Sequence, residues 1–224
     1  MSDGKKFQPL LKLVNVKGAE FHFVDEIDWV VQELIDGQHY YGIIANSHPL
    51  NGEIYDTNNK RVRIPCIENA LQEESKFLGA WVVFFGLSSN PKHFPDVPIV
   101  YDIVPLAAFN DNYSPMLYQV RYSLSKALAL RLGWYFPQNI YVRSLSDALE
   151  ATKVVIEEEG KGVALKRLDA PWQAGKPTPD YIEITQEDLD ESDIESSKLG
   201  TGTVHSRNGE VQARPTSATE YGQD

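Results

Sequence analysis

The order of its apolar runs constrains this chain more than any other feature. Segments rich in Val, Ile and aromatic residues, bounded by Gly, Pro, Asn and Asp, occur at YYGIIAN, GAWVVFFGL, PIVYDIVPL, NIYVRS, GVALKRL and DYIEI, and each reads as a strand. NGEIYDTNNKRVRI reads as a hairpin with its turn near the Asn pair. Three helical patterns lie among them. IPCIENALQEES has Pro65 in its first turn and Ile67, Ala70 and Leu71 on one face. SPMLYQVRYSLSKALALRLG repeats Leu117, Val120, Leu124, Leu128 and Leu132 at three- and four-residue steps, with Gly133 as its C-cap. SLSDALEATKVVIEEEG offers Ser144 or Ser146 as N-cap, sets Ala148, Leu149, Thr152, Val155 and Ile156 on one side and ends at Gly160. The order is mixed, not a regular alternation of strand and helix. It predicts an α+β domain of antiparallel sheets flanked by helices.

One segment is ambiguous. In VDEIDWVVQELIDG, Ile27, Val30, Val31 and Leu34 sit at helical spacing and Asp25 is a candidate cap. Pattern alone predicts a helix ending at Gly37.

Composition divides the chain at about residue 185. Residues 1–185 have the apolar content of a packed domain. Residues 186–224 are rich in Gly, Ser, Thr, Glu and Asp and poor in large apolar side chains. Such a segment cannot offset its ordering entropy by burial, so an acidic, disordered tail is expected. Of the net charge of −11, residues 187–224 carry −6. That sign opposes non-specific attraction to nucleic acid. No apolar run reaches the length of a membrane span, and the N-terminus lacks the apolar core of a secretory signal. A single cysteine, Cys66, excludes an intrachain disulfide and reads as a small hydrophobe. A soluble, intracellular protein is expected. His22, His39, His48, His93 and His205 show no ligand spacing with Cys66, so the sequence assigns no metal and no cofactor. Trp29, Trp81 and Trp134 read as core. Trp172, in a loop, reads as partly exposed and a candidate contact.

Residues 159–184, EGKGVALKRLDAPWQAGKPTPDYIEI, resemble the end of the adenylation domain of ATP-dependent DNA ligases. Gly162, Val163, Ala164, Leu165 and Lys166 match a strand of that family which ends in lysine, and RLDAPW matches the loop that follows. Reading backwards, ELIDG resembles the family's nucleophile motif, a lysine followed by any residue, Asp and Gly. YDTNNK resembles a short turn that contains an arginine. LGAWVVF resembles a strand with an Asp-Gly-Glu run, and VYDIVPL the strand whose aromatic residue stacks on adenine. The match runs over about residues 25–185 and implies the ligase nucleotidyltransferase fold.

In that family a lysine amine attacks the α-phosphate of ATP to give a phosphoramidate, and neighbouring cations offset the phosphate charge. Against this pattern the chain is degenerate. Leu34 replaces the nucleophilic lysine, although Asp36 and Gly37 remain. His39 and Asn58 stand where arginines are usual, Trp81 where a glutamate is, and Lys161 where a second glutamate is. Tyr101 keeps the stacking type and Lys166 survives. Tyr181 replaces a tryptophan, and Glu183 and Thr185 replace the last two lysines. A leucine forms no phosphoramidate. The residues after 185 are too few and too polar for the OB-fold that follows in DNA ligases of this family.

The resemblance therefore implies a catalytically inactive ligase-like domain serving as a protein-interaction or regulatory module with a protein partner. One alternative is non-covalent nucleotide binding through Asp36, Gly37, Tyr101 and Lys166. Nucleic-acid contact through Lys60, Arg61 and Arg63 in the hairpin is another. An atypical ATP-dependent polynucleotide ligase would need a relocated nucleophile, with Lys161 and Lys166 as the nearby lysines.

Overall fold

The computed structural model describes residues 6–13, 28–76, 78–88 and 96–190. Twelve strands and four helices are assigned there, in the order β1(Leu11–Lys12), β2(Trp29–Glu33), β3(Gly37–Ile44), β4(Ile54–Asp56), β5(Arg61–Val62), α1(Pro65–Glu74), β6(Trp81–Ser88), β7(Pro98–Pro105), α2(Leu106–Asn110), β8(Tyr113–Ser114), α3(Tyr118–Leu132), β9(Ile140–Val142), α4(Leu145–Glu157), β10(Gly162–Arg167), β11(Trp172–Gln173) and β12(Tyr181–Thr185). They form two five-stranded sheets, ordered β1-β12-β10-β2-β9 and β5-β4-β3-β6-β7, and a small β11-β8 ribbon. Every pair within the two large sheets is antiparallel except β1 with β12. The α+β architecture expected from the sequence is the one observed.

Each sheet buries both faces, and side-chain alternation assigns the faces. In the first sheet Trp29, Val31, Val163, Leu165, Ile182 and Ile184 pack with Ala148 of α4. The opposite face carries Val30 and Tyr181, packed with Tyr118 of α3 and with Leu168 and Ala170. In the second sheet Tyr40, Ile44, Val83, Phe85, Val100 and Ile103 pack on Ile67 and Leu71 of α1 and on Leu128 of α3. Its other face carries Tyr41, Ile43, Val82, Phe84 and Val104, covered by Phe109 and Trp172.

Burial on both faces explains the main departure from the sequence pattern. Residues 29–33 are a strand, not the end of a helix. A strand covered on both sides needs apolar residues at consecutive positions, so Val30 and Val31 mimic helical spacing. Asp25 and Ile27 lie outside the described residues.

The helix ends follow local chemistry. Ser144 caps α4, its Oγ accepting from the Asp147 N–H at 3.1 Å. Gly133 ends α3 at φ 66°, where a left-handed residue is needed and glycine has no Cβ penalty. The apolar stripe predicted for α3 is only half used. Leu128 is buried, but Leu117 and Val120 are exposed. The helix instead turns Tyr118, Arg121 and Ser125 inward, because Arg121 joins the two sheets.

Folded structure continues beyond residue 185. Residues 186–190 are helical, with Asp188 and Leu189 buried. Asp188 Oδ2 accepts from the Thr185 N–H at 2.8 Å and from its hydroxyl at 3.1 Å, an N-terminal cap. Residues 191–224, most of the predicted tail, lie outside the described residues. Cys66, read as a small hydrophobe, is exposed on α1. No described helix is long and apolar enough to cross a membrane.

Candidate functional site

The two sheets diverge around a cleft of about 270 Å³. Four strands supply much of it: Gln32, Glu33 and Leu34 at β2, Tyr101 and Asp102 on β7, Ala164 and Lys166 on β10, and Tyr181 on β12. His39 of β3, Ile35 and Thr57 complete the wall. The remaining side comes from a segment without a role in the sequence pattern. Phe7, Gln8 and Leu10 run along the cleft before β1 joins the sheet edge. Phe7 makes edge contacts with Tyr41 and Phe84, and its carbonyl accepts from the Gly175 N–H at 2.8 Å. The Gln8 side-chain carbonyl accepts from the Gln173 N–H at 2.5 Å. Only Phe7 and the LLKLV run mark this segment in the sequence, and five residues are too few for a periodicity.

Lys166 is the only Lys or Arg among the described residues lining this cleft. It is 6% exposed. Its ammonium donates to Gln32 Oε1 at 2.6 Å and lies 4.8 Å from the centre of the Tyr118 ring. Burial pushes the amine down to about 8; Asp102 pulls it up, and Arg121 adds to the downward push. Gln32 is held in turn, its amide donating to Tyr118 Oη and to Asn139 Oδ1, both at 3.1 Å.

Behind Lys166 lies a buried ion pair. Arg121 is 0% exposed and donates from Nε to Asp102 Oδ1 at 2.8 Å. It also donates to Tyr181 Oη at 2.5 Å, to the Ala170 carbonyl at 3.2 Å and to the Met116 carbonyl. Burial works against its charge, but Asp102 and the Tyr181 hydroxyl hold it firmly protonated. Asp102 belongs to the second sheet and Tyr181 to the first, so this guanidinium fixes the spacing of the two cleft walls.

The structure brings together some of the residues singled out in the sequence and separates others. Leu34, His39, Tyr101 and Lys166 line the cleft. The Leu34 N–H is spent on the Gly162 carbonyl at 3.0 Å, and its side chain is one more piece of apolar wall. His39 Nδ1 lies 3.4 Å from Tyr101 Oη, with the rings edge to face at 5.6 Å. Burial pushes the His39 imidazole down, opposed by the Ile35 backbone and reinforced by Lys161. Asp36 and Lys161 do not line the cleft; they pair with each other at 2.5 Å. Gly37 sits at φ 142°, where a Cβ would lie 2.0 Å from the Leu87 carbonyl oxygen.

Trp81 is not in the cleft. Alternation along β6 turns it to the face packed on α1 and α3, while Val82 and Phe84 face the cleft side. Thr185 is occupied with Asp188, and Glu183 lies outside the cleft lining. Asn58 is exposed in the β4-β5 turn, where Asp56 Oδ1 accepts from its N–H at 2.9 Å. In the same hairpin Arg61 pairs with Glu53 at 2.8 Å and Arg63 with Glu68 at 3.3 Å; Lys60 is exposed. Trp172, expected to be partly exposed, is 1% exposed, because the β11-β8 ribbon folds its loop onto Phe84 and Phe109. His22, His93 and His205 lie outside the described residues, and among those described no three His, Cys, Asp or Glu side chains gather as a metal site.

No protein-family model and no curated protein matches the sequence. Solved structures do match. The structure named Pmar-Lig_Pre superposes with a TM-score of 0.62 at 19% identity, over 82% of this chain and 46% of its own length. The ATP-dependent DNA ligase from bacteriophage T7, in complex with ATP, gives 0.58 at 10% identity, over 83% of this chain and 69% of its own. An archaeal ATP-dependent RNA ligase gives 0.56 at 13% identity, over 85% of this chain and 51% of its own. The chain spans less than half the length of the first two structures it matches. Together these likenesses give the chain the ligase nucleotidyltransferase fold.

Proposed function

We propose that this chain keeps the ligase scaffold without self-adenylation and uses the cleft to bind a flat, uncharged ring, a nucleobase or nucleoside, non-covalently. The observation that carries the proposal is Leu34 in the wall of a formed cleft whose opposite walls hold Tyr101 and Lys166. A nucleophile position filled by an alkyl side chain offers no electron pair to an α-phosphate. The rest of the lining points to the same conclusion. It is largely apolar, and the single Lys or Arg among its described residues is buried against Gln32. A triphosphate entering here would lose hydration without gaining the cations that offset its charge. An aromatic ring loses little and gains contacts with Tyr101, Phe7 and Ile35.

The test has two parts. Intact mass after incubation with ATP and magnesium or manganese is expected to show no added adenylate. Calorimetry is expected to show adenosine binding at least as tightly as ATP. An adenylate adduct, or ATP binding more than about tenfold tighter than adenosine, would overturn the reading.

A second reading, a protein-interaction module, rests on a different surface. β9 is the edge strand of the first sheet, and Ile140 and Tyr141 on it are 52% and 64% exposed. An open edge with apolar side chains suits strand addition by a partner. Charged substitutions at Ile140 and Tyr141 would abolish such an association and leave adenosine binding unchanged.

A further inference from the structure

We infer that Lys166 is the reactive amine of this chain, placed to form an imine with a small, uncharged, single-ring aldehyde entering the cleft. The inference uses the same cleft as the binding proposal but does not depend on nucleobase recognition. Four observations carry it. Lys166 is nine-tenths buried yet lines a cavity, so its amine is removed from bulk water but within reach of an entering molecule. Its hydrogen bond goes to a neutral amide oxygen, Gln32 Oε1, not to a carboxylate. The nearby carboxylate, Asp102, is already committed to Arg121 at 2.8 Å. Finally, the residues that would meet the aldehyde ring, Phe7, Leu34, Ile35 and Tyr101, are apolar or aromatic.

These features separate Lys166 from the other lysine near the cleft. Lys161 is exposed and holds Asp36 at 2.5 Å, which favours its cation. For Lys166 burial opposes the cation most and Arg121 adds to it, while Asp102 and the Tyr118 ring favour it. The other titratable groups around it or lining the cleft are Tyr118 and Arg121 on α3, Tyr101 and Asp102 on β7, Tyr181 on β12, Glu33 on β2 and His39 on β3. Burial raises the three phenols and lowers the imidazole, which keeps all four neutral near neutral pH. A neutral amine in apolar surroundings is the form that adds to a carbonyl.

The step balances without a further reagent. The Nζ lone pair forms a bond to the carbonyl carbon, and the carbonyl π pair moves to oxygen, which takes a proton. The resulting carbinolamine then loses its oxygen as water, with the second amine proton, and a C=N bond remains. No group changes oxidation state until a reductant is added for trapping.

The experiment is reductive trapping. The full chain is incubated with limiting benzaldehyde and cyanoborohydride near pH 7.5, and the product is read by intact mass and peptide mapping. The expected result is one benzyl group, mapped to Lys166, added about tenfold or more faster than at any exposed lysine; this follows from the larger neutral fraction of an amine whose pKa is lowered. Lys161→Ala should leave the rate unchanged. Lys166→Arg, which keeps the charge and removes the nucleophile, should abolish fast labelling. Should that variant fail to fold, the wild-type map decides alone, with urea-unfolded chain as reference: selectivity for Lys166 must vanish on unfolding. Label spread evenly over the lysines of the folded chain would overturn the inference. Adenosine binding is measured separately, so failure here leaves that proposal standing and the reverse also holds.

Discussion

Arg121→Met is expected to separate the two walls of the cleft and to destabilise the whole domain. The substitution keeps much of the side-chain volume, so the loss is mainly electrostatic. It leaves Asp102 buried without its cation and removes the donors to Tyr181, Ala170 and Met116. Breaking a buried pair from one side costs about 3–5 kcal/mol, because the abandoned charge pays its desolvation uncompensated. In a domain of this size that lowers the melting temperature by roughly 10 °C. Urea denaturation gives the free energy directly, provided the slope of the transition is unchanged. The double variant Asp102→Leu with Arg121→Met tests the mechanism. It removes both charges and should recover part of the loss, so the pair must show positive coupling in a double-mutant cycle. A loss below about 1 kcal/mol for Arg121→Met, or strict additivity of the two single losses, would refute the argument that this guanidinium holds the sheets together.

Three further outcomes are expected. The Lys166 amine is lowered in the folded chain to about 8 against its ordinary value of 10.5, so between those values the unfolded chain binds more protons and folding stability rises with pH. The charged lysine costs the fold roughly 3 kcal/mol below pH 8, and Lys166→Met should flatten the wild-type rise in urea midpoint between pH 8 and pH 10; parallel profiles would refute this. Above pH 10 the buried tyrosines oppose the trend, since burial raises the Tyr41, Tyr118 and Tyr181 phenols and the unfolded chain ionises first. Gly37→Ala should cost about 2 kcal/mol or more by denaturation, because a Cβ there meets the Leu87 carbonyl at 2.0 Å and the residue needs a positive φ. Leu34→Lys should acquire no adenylate by intact mass with ATP and magnesium, and an adduct would show that the missing amine was the only defect.

Much of the fold was legible because it rests on local signals. The six strand runs, the hairpin, the Ser144 cap and the Gly133 terminus follow from residue type and spacing alone. β2 was misread because a doubly buried strand has no alternation to display. Long-range partners were less legible. Nothing local to Arg121 announces that it will meet Asp102 across 19 residues and Tyr181 across 60. Of the positions singled out by the ordered set of motifs, Leu34, His39, Tyr101 and Lys166 line one cleft. It failed for Trp81, because matching a strand by its motif does not fix which face each residue takes, and a shift of one residue reverses every side chain.

Beside the cleft, residues of the ligase-like pattern have uses in the fold itself. Asp36 and Gly37 survive beside Leu34, and the geometry gives each a structural reason to do so. Gly37 is required by a backbone conformation and a close carbonyl, which hold whether or not a nucleophile stands three residues earlier. Asp36 has gained a partner in Lys161, the very position where the ligase-like pattern has an acid. An acid there would set two carboxylates against each other, and the lysine removes that repulsion. The interior cation Lys166 likewise has partners in this chain, Gln32 and the Tyr118 ring, that require no phosphate. Residues of the nucleotidyl-transfer pattern are therefore kept where the fold itself uses them. At position 34 the fold needs only an apolar wall, and leucine supplies it.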